Sequence, residues 1–248
     1  MNPNMTRPLF FAGGSRGCLM IHGFTSSPFD LRPLSKHLHS CGFTVQEVLL
    51  PGHGTGFQDM AKYGWSDWLR AVEDGLAKLL NRCSSVWLLG FSMGGILAVL
   101  AASRNPVAGL VSISAPIWPQ ANRAKYAFIF KHFVKYTDLG KGPGQKIPSW
   151  RYQQVTLKSI DDLMQLIKLG KGALPKVYVP TLVVQGLDDQ TVKPKSASFI
   201  YTKLGAETKE LFFLPGDHLL LLESTHEKVC KRVSAFIFQI GGNSDGCR

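Results

Sequence analysis

The sequence predicts an α/β fold with a mostly parallel central sheet, helices on both faces and a small helical cap inserted into the chain. Three observations predict it. Short apolar runs alternate with amphipathic stretches along most of the 248 residues, which is typical of strands joined by crossover helices. The interval 117–176 interrupts that alternation. A serine between glycines, Ser92, follows one apolar run and precedes a helical segment.

Length and composition favour one large folded domain that carries an insertion. Hydrophobic residues make up 45% of the chain and charged residues 18%, so a sizeable core can form and a mostly disordered chain is excluded. A length of 248 residues fits one α/β domain better than two. We assign residues 1–116 and 177–248 to the core and residues 117–176 to the cap.

The first half of the chain contains four apolar runs that suit buried strands. They lie at 16–21, 43–50, 85–89 and 108–114. Helices are predicted between them, because apolar residues recur there at three- and four-residue spacing. The first helix begins near Ser27 with Pro28 at its first position, the second begins near Ser66, and the third covers 93–103.

The alternation resumes after the interruption. Strands are predicted at 179–185 and 210–214, with a helix at 195–204 between them. The last helix is predicted to begin at Ser224, because Ser224 and Glu227 have the spacing of a capping box.

The interval 117–176 has no convincing strand and two predicted helices, at 124–136 and 159–169. Residues 120–176 contain eleven Lys and Arg against three Asp, a net charge of +8 out of +11 for the whole chain. We expect its apolar residues, Phe128 and Met164 among them, to roof an acyl-chain pocket. A solvated lysine face is favoured over docking of the basic residues on an anionic membrane.

Other classes of protein have weak support. The charge of +11 alone suggests nucleic acid, but no arginine-rich repeat or nucleic-acid motif accompanies it. Five widely spaced cysteines without a CxxC pair predict reduced thiols in a cytoplasmic protein. The apolar run 8–12 is too short for a secretory signal. No cluster has metal-ligand spacing, so neither a metal nor a cofactor is expected.

The strongest motif is Gly-Phe-Ser-Met-Gly at positions 90–94, which matches G-x-S-x-G between a predicted strand and a predicted helix. A serine on so sharp a turn has strained backbone dihedrals, and the flanking glycines remove side chains that would clash. The turn raises the Ser92 hydroxyl to the N-terminus of the helix, where the dipole favours a developing oxyanion. The motif predicts a nucleophilic serine.

A serine hydroxyl needs a base, and in such sheets the partners follow in the order acid, then histidine. His218 follows the last predicted strand and is the candidate base. Asp188 and Asp189 follow the preceding strand, and the spacing of Gly186, Asp189 and Val192 favours Asp189 as the acid. Asp217, beside the histidine, has the character of a turn residue.

Two backbone N–H groups are expected to form an oxyanion hole. One belongs to Met93, the residue after the nucleophile, and the other to the loop of residues 22–25, where we choose Phe24. Because a backbone group would donate, the Phe24 side chain is free to line the acyl pocket. His22 and His53 are expected to shape their loops rather than act as bases.

These motifs resemble those of the small bacterial carboxylesterases and monoacylglycerol lipases of Bacillus and its relatives, which are α/β-hydrolases. The resemblance extends from about residue 17 to 238. It is carried by HGFT at 22–25, GHG at 52–54, GFSMGG at 90–95, Asp189 and His218. It implies a triad of Ser92, Asp189 and His218, oxyanion donors at Phe24 and Met93, and a small inserted cap. One departure is Ser26, where many relatives have glycine.

The resulting hypothesis is a serine hydrolase that cleaves short- to medium-chain acyl esters or monoacylglycerols through an acyl-enzyme. The same triad also serves acyl transfer, perhydrolysis and carbon–carbon bond hydrolysis, which the sequence leaves open. A dehalogenase is disfavoured because it would have aspartate at position 92. A non-catalytic ligand-binding protein is disfavoured because all three triad residues occur in order. The expected partner is a small ester, and the oligomeric state is not predicted.

Overall fold

The computed structural model describes residues 5–120, 136–138 and 151–242. Its strands are β1 (Phe10–Phe11), β2 (Arg16–Ile21), β3 (Thr44–Val48), β4 (Ser85–Phe91), β5 (Gly109–Ile113), β6 (Tyr136–Asp138), β7 (Gln154–Thr156), β8 (Thr181–Gly186) and β9 (Lys209–Leu214). Its helices are α1 (Arg32–Ser40), α2 (Phe57–Met60), α3 (Trp65–Leu80), α4 (Met93–Ala102), α5 (Leu157–Ala173), α6 (Lys195–Lys203) and α7 (His226–Gly241).

Seven of these strands form one sheet in the order β1-β3-β2-β4-β5-β8-β9. The pairs from β3 to β9 are parallel, and β1 pairs antiparallel with β3 at the edge. The predicted α/β class with a mostly parallel sheet is therefore confirmed. The two-residue β1 was not predicted, because two residues are too few to show an alternating pattern.

Helices cover both faces of the sheet, and two apolar cores lie between them. In β2, Leu19 and Ile21 join the core under α3, α4 and α5, whereas Cys18 and Met20 join the core under α1 and α7. Successive side chains of a strand point to opposite faces, so continuous apolar runs are needed here. Every residue of α4 is buried, which explains why that helix has no polar face.

The interval 117–176 differs from its prediction. Strands β6 and β7 pair antiparallel, so the expectation that it lacks a strand is wrong. Each strand has three residues, too few for a recognisable pattern, and the pairing depends on tertiary contact. The predicted helix at 124–136 lies outside the described residues except for Tyr136, which is in β6.

The second predicted helix of this interval is present as α5, longer at both ends than the sequence indicated. The Thr156 side chain caps it by accepting a hydrogen bond from the Ser159 N–H at 3.2 Å. Gly170 allows α5 to approach α4, because a Cβ there would lie 2.4 Å from Cγ2 of Ile96. The boundary between core and cap stays a prediction.

Two local predictions are wrong. Helix α7 begins at His226 after Thr225, with no side-chain cap, so the capping box at Ser224 does not form. The Thr225 hydroxyl instead donates to the carbonyl of Leu220 at 3.1 Å, within the preceding loop. Cys41 is disulfide-bonded, so the expectation of reduced thiols fails there, because wide sequence spacing does not reveal spatial proximity.

Among the described residues, no helix combines the length and the apolar character that crossing a membrane requires.

Candidate active site

Ser92 occupies a sharp turn between β4, the central strand, and α4. Its φ and ψ are 53° and −123°, a conformation that costs a non-glycine residue about 1–3 kcal/mol. A Cβ on Gly90 would lie 2.1 Å from the carbonyl oxygen of Gly94, and one on Gly94 would lie 2.0 Å from that of Ile21. Positions 90 and 94 must therefore both be glycine for the turn to close.

Three side chains form a hydrogen-bonded series at the carboxyl ends of parallel strands. Ser92 Oγ lies 3.1 Å from Nε2 of His218, and Nδ1 of His218 lies 2.8 Å from Oδ2 of Asp189. These residues follow β4, β9 and β8, so the sheet itself brings them together. All three are buried, and Ser92 retains the most exposure, 9%. The series can relay a proton from the serine hydroxyl to the imidazole.

Four donors surround the carboxylate of Asp189. Oδ1 accepts the backbone N–H groups of Thr191 and Val192 at 2.8 and 2.7 Å, and Oδ2 accepts Nε2 of Gln185 at 2.8 Å besides the histidine. Burial acts to raise the pKa of Asp189, but the hydrogen bonds from His218 and the two backbone N–H groups lower it below its ordinary value. The carboxylate is thus held ionised beside the imidazole.

The neighbouring carboxylates, Asp188 and Asp217, accept hydrogen bonds from the backbone of the loops. Oδ2 of Asp188 accepts the N–H of Gly216 at 3.0 Å, and Oδ1 of Asp217 accepts the N–H groups of Gln190 and His218 at 2.9 and 2.6 Å. Both residues thereby connect the loop after β8 to the loop after β9. Neither takes the place of Asp189 against the ring of His218.

Sequence reasoning missed Gln185. This fully buried residue near the end of β8 donates to Asp189 and fixes the face that the carboxylate presents to His218. A signal existed, because Gln185 is the polar residue of an otherwise apolar strand end. Such a buried amide requires a partner.

The loop of residues 22–25 lies against the nucleophile. A Cβ on Gly23 would lie 3.2 Å from Cβ of Ser92. Nε2 of His22 accepts the N–H of Leu50 at 3.1 Å, and its Nδ1 donates to the carbonyl of Gly23 at 2.9 Å. The Ser26 hydroxyl donates to the same carbonyl at 3.3 Å. Because the peptide is planar, holding that carbonyl also fixes the direction of the Phe24 N–H.

His22, the first residue of this loop, and His53, which packs on it, are neutral structural groups. Burial lowers the pKa of His22 well below its ordinary value, and burial lowers that of His53 to about 4. Their rings pack edge to face with centroids 5.0 Å apart, and His53 also contacts Trp68.

The two predicted oxyanion donors belong to the segments that flank the nucleophile, Met93 to the start of α4 and Phe24 to the loop of residues 22–25. Met93 is the first residue of α4, where backbone N–H groups have no partner within the helix. No acceptor within the described part of the chain takes the N–H of Phe24 or of Met93. The Phe24 ring is half-buried and packs on His53 and Trp68.

Of the two remaining predicted pocket residues, the structure describes only Met164. Met164 lies on α5, half-buried and packed against the core that contains α4. Phe128 lies outside the described residues. Within the described ranges, no group of three or more His, Cys, Asp or Glu is placed to hold a metal ion.

A mostly parallel sheet with a serine on a tight turn after its central strand defines the architecture of α/β-hydrolases. The family model described as the alpha/beta hydrolase family matches residues 18–232. The chain therefore belongs to the alpha/beta hydrolase family and is a hydrolase.

Named relatives cover nearly the whole chain. A thermostable monoacylglycerol lipase from Bacillus sp. (strain H-257) is 29% identical over 240 residues, 95% of both chains. A carboxylesterase from Bacillus subtilis (strain 168) is 26% identical over 235 residues, 93% of this chain and 96% of its own. A solved structure from work on LipS and LipT, two metagenome-derived lipolytic enzymes, has a TM-score of 0.90 at 29% identity, covering 95% of this chain and 98% of that one.

Proposed function

We propose that this protein hydrolyses carboxylic esters through an acyl-enzyme, with Ser92 as nucleophile, His218 as general base and acid, and Asp189 as the group that orients His218. The observation that carries the proposal is the continuous series from Ser92 Oγ through the imidazole to the carboxylate, at 3.1 and 2.8 Å. The names of the relatives, a monoacylglycerol lipase and a carboxylesterase, also support cleavage of a carboxylic ester bond.

The first half of the proposed reaction forms the acyl-enzyme. Ser92 Oγ attacks the ester carbonyl while its proton passes to Nε2 of His218, and the carbonyl π electrons move onto oxygen. The anion collapses, the bond to the alkoxy group breaks, and His218 returns the proton to the departing alcohol. Asp189 stabilises the imidazolium formed between these steps.

Water completes the cycle at the same groups. His218 takes a proton from water, the hydroxide attacks the acyl carbonyl, and the bond to Ser92 Oγ breaks as the serine regains its proton. In both halves the N–H groups of Phe24 and Met93 are proposed to donate to the oxyanion, a contribution of about 2.7–4 kcal/mol per donor in comparable enzymes. The chemistry needs neither cofactor nor metal.

The proposed substrates are short- to medium-chain acyl esters or monoacylglycerols. Helix α5 presents Ile160, Leu163 and Met164 as half-buried apolar side chains against the core that contains α4. Burying one methylene of an acyl chain on such a surface contributes about 0.8 kcal/mol. A chain of several carbons therefore gains more from this surface than an acetyl group does. A cytoplasmic location stays a prediction.

The test is a panel of p-nitrophenyl esters from acetate to palmitate together with 1-monoacylglycerols. We expect kcat/KM to pass through a maximum at an intermediate chain length, and Met164→Ala to move that maximum toward longer chains. A strict preference for acetate would contradict the proposed acyl pocket. An absence of turnover on every ester would contradict ester hydrolysis itself.

Gln185 provides a test of the proposed acid–base pair. Replacing it with leucine removes one donor from Asp189, so the carboxylate becomes more basic and stabilises the imidazolium more strongly. We expect the acidic limb of the pH profile of kcat/KM to move to higher pH. The rate at neutral pH should fall about tenfold, because the carboxylate also loses the contact that orients it toward His218, and a misplaced catalytic group lowers the rate by at least that much.

Thr181→Val is the matched control for Gln185→Leu. Thr181 is also fully buried in β8, and its hydroxyl donates to the carbonyl of Val179 at 2.8 Å, away from the candidate site. The control should keep the pH profile of the wild type. An unchanged profile in Gln185→Leu would show that the amide does not tune the pair.

A further inference from the structure

The segment that follows the undescribed residues 139–150 reaches back to the loops around Ser92. Nη2 of Arg151 lies 3.0 Å from Oδ2 of Asp30, in the 3-10 helix that follows the loop of residues 22–25. The backbone N–H of Tyr152 donates to the carbonyl of Thr25 at 3.1 Å. The Tyr152 hydroxyl donates to the carbonyl of Gly52 at 2.7 Å and accepts the N–H of Thr55 at 3.1 Å.

These contacts stabilise a loop whose backbone has an unfavourable conformation at Thr25. Thr25 has a φ of 59°, in the left-handed region that few non-glycine residues adopt, and it directly follows Phe24. Such conformations persist when surrounding contacts determine them. The carbonyl of Gly23 is held by His22 and Ser26 on one side of Phe24, and the carbonyl of Thr25 is held by Tyr152 on the other.

The Arg151–Asp30 ion pair differs from a surface pair. Asp30 is 1% exposed, and burial raises the pKa of its carboxyl while the Arg151 guanidinium acts to lower it. A buried carboxylate that loses its cation must either take up a proton or draw the loop toward another donor. Either change would disturb the turn that leads out of the loop of residues 22–25, which we call the oxyanion loop.

We propose that Arg151 and Tyr152 are positioning residues that hold the Phe24 N–H in its donating direction. Their contacts fix the conformation of the oxyanion loop. The inference rests on the proposed function, because it assigns these residues a role in the same ester hydrolysis. Neither residue contacts the reacting atoms. They act through Thr25, Asp30 and Gly52.

The expected signature is a loss in the transition state rather than in substrate binding. Arg151→Gln should lower kcat by about ten- to 100-fold and leave KM within about threefold, because a small displacement of an oxyanion donor mainly affects the developing charge. Arg151→Lys should restore most of kcat by keeping the charge beside Asp30. Tyr152→Phe, which keeps the ring and the backbone N–H, should show a smaller loss of the same kind.

The experiment measures kcat and KM on a p-nitrophenyl ester, and in parallel the inhibition constant of a trifluoromethyl ketone that forms an oxyanion on Ser92. In Arg151→Gln the inhibition constant should rise by the factor by which kcat/KM falls. Hydrogen exchange of the peptide covering residues 22–27 gives a readout independent of activity, and it should be faster in Arg151→Gln than in the wild type.

Lys158→Gln is the matched control, because Lys158 pairs with Asp162 at 3.0 Å on α5 and bonds the carbonyl of Tyr63, away from the oxyanion loop. It should leave kcat and the exchange rate unchanged. An active wild type with unchanged kcat in Arg151→Gln, or with only KM raised, would overturn this inference alone. No ester hydrolysis by the wild type would overturn the proposed function and this role with it.

Discussion

Replacing Ser92 with alanine is expected to lower kcat for ester hydrolysis by about 10⁶-fold, the loss seen when the nucleophile of a comparable triad is removed. The acyl-enzyme cannot form without Oγ, and the only rate left is attack by water assisted by the oxyanion donors. Initial rates on the best p-nitrophenyl ester, and the loss of labelling by a fluorophosphonate, measure the effect. Circular dichroism and the thermal midpoint report whether the variant keeps its fold.

Ser114 supplies a matched control for the nucleophile. It lies just after β5, the strand beside β4, and it is a buried serine with a positive φ of 50°, close to the φ of Ser92. Its hydroxyl has no hydrogen-bond partner among the described residues. Ser114→Ala should therefore keep activity within about threefold. A Ser92→Ala variant that loses less than about 100-fold would show that another group performs the attack.

The parts of this molecule that could be predicted depend on local backbone rules. The turn at Ser92 requires glycine at positions 90 and 94 because the neighbouring carbonyl oxygens leave no room for a Cβ. That requirement appears in the sequence as the G-x-S-x-G motif. Parallel strands buried on both faces need continuous apolar runs, which placed β2, β4, β5 and β8 within a few residues. Placing the candidate nucleophile, acid and histidine after three such strands also located them at one edge of the sheet.

The parts that could not be predicted depend on contacts between distant residues. The side chain of Gln185 faces Asp189 because of the strand register and the loop after β8, and no local spacing encodes that orientation. The bonds from Arg151 and Tyr152 span 97 to 127 positions of sequence, and β6 and β7 are defined only by their pairing. The capping box at Ser224 failed for a local reason, since the helix begins two residues later and the Thr225 hydroxyl bonds the carbonyl of Leu220 within the preceding loop.

Replacing Asp189 with asparagine is expected to lower kcat by about 10⁴-fold while leaving the structure almost unchanged. The reason lies in the four donors around the carboxylate. The carboxamide oxygen must take the Oδ1 position, because the N–H groups of Thr191 and Val192 would oppose an amino group there. The amide nitrogen then faces Nδ1 of His218, and Gln185 turns its own oxygen toward it.

That orientation forces His218 into the tautomer with its proton on Nε2. Such an imidazole donates to Ser92 Oγ and cannot accept its proton, so the base is lost although every heavy atom stays in place. Asp188→Asn is the control, because Asp188 bonds the N–H of Gly216 and not the histidine. Steady-state rates on one ester decide between them: a severe loss in Asp188→Asn with an active Asp189→Asn would transfer the acid to Asp188. A severe loss in Asp189→Asn alone would mean that the four donors around one carboxylate set the proton position on which the proposed reaction depends.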